Sequence, residues 1–188
     1  MDPPLYLAEE SVLGPTALAR LLVVLAQRQT LDTIQGLKKA PSGLSSSTSL
    51  NHIQQITHPD IIRRFLTIAL ERVRAATAKG RERVRKEKLD EARLIFTSAA
   101  ELAAALVAFD THTQGLYSKE MRGARKELVL ALGNASEMAL RRKHFQQALN
   151  FGHGAVTVAE NIPAAEALDP NNVEKNRRRV RLAQLSMV

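Results

Sequence analysis

The sequence predicts an all-α chain built as an array of antiparallel helix hairpins with an N-terminal helical extension. Three observations predict it. First, a spacing of small residues occurs twice: Gly80, Ala92, Phe96 and Ala99 recur as Ser136, Ala148, Gly152 and Ala155, at offsets of +12, +16 and +19 both times. An apolar residue, Leu89 or Phe145, stands three positions before each central Ala. Small residues at these offsets let two antiparallel helices approach closely, and the apolar one fills the gap between them. Second, 45% of the residues are apolar, mostly Ala and Leu, and only 4% are aromatic, which suits close-packed helices better than sheets. Third, apolar residues recur three and four apart over long windows that Pro, Gly and Ser segments separate.

The elements follow in order. Gly14-Pro15 opens a helix, with Pro at its first position. Leu18, Leu21, Leu22 and Leu25 keep helical spacing, and Leu31, Ile34 and Leu37 carry it to Lys38-Lys39. Residues 1–39 are therefore expected to hold an amphipathic helix whose apolar face packs on the hairpins. Residues 40–58 read as a Ser-rich linker, since Pro41, Gly43 and the hydroxyl run 45–49 disfavour a helix. Pro59-Asp60 starts the next helix, and Ile61, Ile62, Phe65, Leu66, Ala69, Leu70 and Val73 form its broad apolar stripe to about residue 86.

Leu89 to about Val107 is expected as its antiparallel partner, with Asp110 to Gly115 as the turn. Helices from about Ser118 to Arg142 and from about His144 to Glu160 follow. Asn161-Ile162-Pro163 breaks the chain, and a last, polar helix over about 171–185 reads as a solvating cap. Residues 59–188 thus form one helical domain of hairpin units near 73–106 and 129–162.

Charge narrows the function classes. The 188 residues carry a net charge of +8, yet residues 1–59 hold four Lys/Arg and four Asp/Glu, so the whole excess lies in 60–188. This favours an acidic partner, nucleic acid or an anionic surface. There is no Cys, hence no disulfide framework, thiolate nucleophile or Cys-ligated metal. The longest unbroken apolar run is Leu21 to Ala26, far short of the roughly 20 residues of a membrane span. Met-Asp-Pro-Pro with Glu9 and Glu10 does not read as a secretory or mitochondrial leader. An intracellular, cytoplasmic location is expected.

No catalytic constellation emerges. None of the five His residues stands three or four positions from another His or an acid on a helix in the way a helical metal site needs. The acids alternate with Lys and Arg rather than pairing. Neither enzyme, metal nor cofactor is expected. Nucleic-acid binding is an alternative carried by Arg177 to Arg181. Against it, the chain has no Trp, two Tyr and five Phe for stacking on bases.

Residues 73–183 resemble a tetratricopeptide-repeat protein. Asn134, Ala139, Leu140, Arg141, Phe145, Gln147, Ala148, Leu149 and Ala155 match the family pattern of the second unit, and Asp169-Pro170-Asn171-Asn172 is similar to its inter-repeat turn. Residues 107–128 separate units that abut in the family. The resemblance implies a partner-binding groove lined by the first arms. In this chain that lining is Arg74, Thr77, Arg81 and Arg85, then Leu130, Asn134, Glu137 and Arg141, then Arg178. The candidate peptide-binding residues are Arg74, Arg81, Arg85, Asn134, Arg141 and Arg178. Five Arg on one lining imply an adaptor for an acidic peptide or helix.

A narrower alternative is a co-chaperone-like clamp on a chaperone's terminal carboxylate. Asn134 and Arg178 match two clamp positions, while Thr77, Arg81 and Glu174 stand where Lys, Asn and Lys are usual. A register slid by one residue puts Lys175 in place of Glu174.

Overall fold

The structure is a computed structural model that describes residues 19–23, 59–163 and 168–187. Five long helices make up most of it: α1 Pro59–Arg85, α2 Leu89–His112, α3 Ala124–Arg141, α4 Phe145–Glu160 and α5 Pro170–Leu185. Residues 19–23 are helical as well, and no strand occurs among the described residues. The chain is all-α. Each helix packs mainly on its neighbours in sequence, and α3 also touches both α1 and α5. The first arms α1, α3 and α5 therefore lie side by side, with α2 and α4 behind them.

Local chemistry sets most helix ends. Pro59 and Asp60 begin α1, and Arg83 and Arg85 close it beside its carbonyl end. The Asp169 carboxylate caps α5 by accepting from the Asn171 N–H at 2.9 Å. On α1, Ile62, Phe65, Leu66, Ala69, Leu70, Val73, Thr77 and Gly80 form the buried stripe. Leu22 is buried in the same cluster as Ile62, Phe65, Leu66, Leu102, Leu106 and Phe109. So the described part of the N-terminal segment packs on the helical core, as its apolar spacing requires. The remainder of 1–39 and all of the 40–58 linker lie outside the described residues.

The α2–α3 connection differs from the expectation. Helix α2 runs on to His112 rather than ending near Val107, and α3 begins at Ala124 rather than Ser118. Asp110 stays helical because its side chain is buried and held: Arg125 Nη2 donates to Oδ2 at 3.0 Å, and the Ser118 hydroxyl donates to Oδ1 at 3.0 Å. Ser118 is thereby drawn back to α2 and cannot start α3. Tyr117 and Met121 fold into the core, with the Tyr117 ring 5.9 Å from that of Phe109. Gly123, at φ 91°, makes the final turn into α3.

By length and composition alone, helix α2 is long and apolar enough to cross a membrane. Here it packs between α1 and α3, with Ala92, Phe96, Ala99, Leu102, Ala103, Leu106 and Phe109 buried.

The two hairpins, α1–α2 and α3–α4, repeat one another. Gly80, Ala92, Phe96 and Ala99 are buried, and so are Ser136, Ala148, Gly152 and Ala155, each 56 positions later. The turns repeat as well. Glu87 and Lys143 both adopt left-handed backbone, at φ 58° and 60°. The next residue's N–H closes both turns onto the carbonyl five positions back, Lys88 to Arg83 at 3.0 Å and His144 to Ala139 at 2.8 Å. Helix α5 follows α3 at a different interval. Its buried residues Asn176, Val180 and Ala183 stand 45 positions after Ala131, Ala135 and Met138.

At the same interval, the residues that give each first arm a small or apolar side, Val73, Gly80 and Val84 then Val129, Ser136 and Leu140, become Glu174, Arg181 and Leu185. Glu174 and Arg181 pair with each other there. A face so charged is ill suited to receive another helix.

Candidate binding groove

The candidate residues lie on the first arms. On α1, Arg74, Arg81 and Arg85 fall seven and four residues apart, so they share one face, and all three are exposed. The 56-residue interval makes Arg81 the α1 counterpart of Glu137 on α3, and Arg85 the counterpart of Arg141.

Their electrostatic environments differ. Arg74 donates from Nε to Glu127 Oε1 at 3.4 Å and so is partly neutralised. Arg81 and Arg85 have no ion pair among the described residues, although Glu82 and Lys86 beside them pair at 2.6 Å. Arg141 donates from Nε to Glu137 Oε1 at 3.0 Å, one turn back on the same helix. Arg178 is exposed and also without an ion pair among the described residues.

Its neighbour Arg179 makes the link to α3. Arg179 Nε donates to Glu137 Oε2 at 3.0 Å, and its Nη1 donates to Asn176 Oδ1 at 2.7 Å. Asn176 itself is buried against Gly133, where a Cβ would come within 2.5 Å of its Oδ1. This contact sets the α5 register. It turns Lys175 and Arg179 toward α3, whereas Glu174 and Arg178 are not on that side.

The lining read from sequence spacing omits Arg179 and Asn176, and names Lys175 only in the register slid by one residue. The available signal was Gly133, a small residue at the position that Thr77 fills in the first hairpin.

Glu137 is thus the one acid among the lining residues, shared by two guanidinium groups. Partial burial raises its carboxyl, but the hydrogen bonds and charges of Arg179 and Arg141 outweigh burial and hold it below the usual carboxylate range. Two cations on one carboxylate leave a positive surplus, to which Arg81, Arg85 and Lys175 add.

Asn134 is half-buried, and its Nδ2 has no hydrogen-bond partner; the Thr77 hydroxyl behind the same first-arm row is likewise unpartnered. By the two intervals, Arg81 holds the sequence relation to Asn134 that Glu137 holds to Arg179.

The described residues hold no group of three His, Asp or Glu side chains placed to bind a metal ion. No family model, curated protein or solved structure matches the chain.

Proposed function

We propose that the chain is a non-catalytic interaction module that takes an acidic peptide or helix onto the face of α1, α3 and α5. The observation that carries this reading is the surplus of fixed positive charge on that face. Arg81 and Arg85 are unpaired among the described residues, and Arg141 and Arg179 share the single carboxylate of Glu137. Guanidinium groups stay charged at every working pH, so the face attracts carboxylates without needing a tuned titration. Such a surface steers acidic partners and selects against basic ones.

The test is charge reversal at Arg81 and Arg85, which hold no intramolecular partner that reversal would leave stranded. Arg81→Glu/Arg85→Glu should abolish partner recovery in a pull-down read by mass spectrometry while leaving the circular dichroism unchanged. Arg122→Glu, outside the groove, should retain the partners. Identical partner lists from a folded double mutant would remove the groove. Nucleic acid is the competing outcome, marked by RNA or DNA binding whose affinity falls steeply with salt.

A narrower reading has its own support. In α5 Arg179 rather than Arg178 meets α3, which supports the register slid by one residue, with Lys175 rather than Glu174 at the clamp position. In that register no carboxylate stands where a carboxylate ligand would bind, and anchoring of a peptide's C-terminal end is favoured. A peptide with a free C-terminus should then bind more tightly than its amide, and equal affinities would reject the clamp.

A further inference from the structure

Glu137 occupies the ground that an acidic ligand needs. Its two oxygens are divided between two guanidinium groups, Oε1 with Arg141 Nε and Oε2 with Arg179 Nε, each at 3.0 Å. The side chains remain reachable from water: Glu137 is 31% exposed, Arg141 51% and Arg179 19%. The equivalent position on α1 is Arg81, so the first hairpin has no acid there.

We infer that Glu137 is a built-in competitor of the groove, holding Arg141 and Arg179 in the free protein and yielding them to a carboxylate of the acidic ligand. The inference rests on the groove reading above and adds to it a residue that sets affinity.

The hydrogen-bond geometry supports an exchangeable contact. Arg141 uses one donor on Glu137, and Arg179 uses one there and one on Asn176. Neither guanidinium receives the paired contact that its planar fork makes with a carboxylate. A carboxylate that approaches from outside is free to take that fork, whereas Glu137 is anchored to α3. The Arg141 end of the network is half-exposed, and exposed ion pairs are weak, so replacing that contact is not costly. Asn176 keeps Arg179 oriented when Glu137 leaves, because its own position is fixed by burial against Gly133.

Competition and positioning predict opposite signs. If Glu137 competes, removing its charge tightens binding. If it merely orients the two Arg side chains, removing the charge weakens binding.

The experiment is isothermal titration of the full chain with a hexaglutamate peptide, using the wild type, Glu137→Gln and Arg81→Glu/Arg85→Glu. Glu137→Gln should bind roughly three- to fivefold more tightly, the scale of one exposed ion pair. Equal or weaker binding by Glu137→Gln, with a wild type that binds and a double reversal that does not, would overturn the competitor while leaving the groove standing. If the wild type and Glu137→Gln both fail to bind, or the double reversal binds as the wild type does, the groove falls and the competitor with it. Should Glu137→Gln fold poorly, the arginine Nε–H signals of the wild type carry the test. Those of Arg141 and Arg179 should move on saturation with peptide, and signals that stay in place would overturn the exchange.

Discussion

The ring of Phe96 lies against the bare backbone of Gly80, so that a Cβ added at Gly80 would come within 2.5 Å of the ring's Cε1. The second hairpin fills the same space differently. Gly152 stands in place of Phe96 and Ser136 in place of Gly80, and Val180 of α5 approaches, its Cγ2 2.8 Å from where a Gly152 Cβ would be. The Ser136 hydroxyl meanwhile donates to the Ala148 carbonyl at 2.8 Å, which satisfies a polar group that is fully buried. One hairpin closes its gap from within and the other with the following helix. Close packing is kept while the side chains change, which is why a spacing recurs here rather than a residue pattern.

The glycines therefore divide by what surrounds them. Gly80→Ala gains helix propensity but forces the buried Phe96 ring to move, and overpacking of that kind costs about 1–3 kcal/mol. A net loss of stability is expected. Gly154→Ala is the contrast, because its Cβ would meet Leu132 Cδ1 at an ordinary 3.4 Å. There the helix gain of up to about 1 kcal/mol should survive. Thermal melts of the two variants should move in opposite directions. A stabilised Gly80→Ala would mean that the hairpin is less tightly packed than its geometry implies.

The left-handed residues of the two turns are a second matched pair. Glu87 and Lys143 hold φ values of 58° and 60° with side chains that disfavour that region. Gly at either position relieves the strain, although it adds entropy to the unfolded chain. Glu87→Gly and Lys143→Gly should each stabilise by about 0.5–1 kcal/mol and by similar amounts. Denaturation midpoints would read this directly, and a loss at one turn alone would break the equivalence of the hairpins.

How far the fold was legible depends on whether its determinants were local. The bounds of α1, α4 and α5 are read to within a residue from Pro59-Asp60, Asn161 to Pro163 and Asp169-Pro170, all of them local signals. The end of α2 and the start of α3 are not, because they depend on the contact of Asp110 with Arg125, fifteen residues away in the chain. The site divides in the same way. Arg74, Arg81 and Arg85 follow from the periodicity of one helix. The choice of Arg179 over Arg178 depends on Gly133 receiving Asn176 across two helices, and no pattern within α5 encodes it.

Asp110 is where that non-local determinant is most exposed to test. Its side chain is 8% exposed and bound to both Arg125 and Ser118. Asp110→Ala leaves the half-buried Arg125 without its carboxylate, which costs about 3 kcal/mol for a buried pair broken from one side. The connection 113–123 should loosen first, visible as faster amide exchange at Tyr117 and Met121. Unchanged exchange and stability would mean that Phe109, Tyr117 and Met121 hold the connection by packing alone.

The attachment of α5 should depend on acid through Glu137. The ordinary value for this carboxyl is 4.5, and although burial raises it, Arg179 and Arg141 bring it lower in the folded chain. A carboxyl depressed on folding stabilises the folded state above its ordinary value, and that contribution is lost as pH falls through the lowered one. Glu82 and Glu91 are also lowered, chiefly by hydrogen bonds from Lys86 and Lys88, so total stability against pH does not isolate Glu137. The difference between wild type and Glu137→Gln does. That difference should be present at neutral pH and shrink below pH 4.5, because protonated Glu137 and Gln carry the same charge. Amide exchange at Val180 and Ala183, the buried residues of α5, should follow the same course. A difference that stays constant down to strongly acid pH would mean that α5 is held by Val180, Ala183 and Asn176, with the Glu137 ion pairs contributing nothing to its docking.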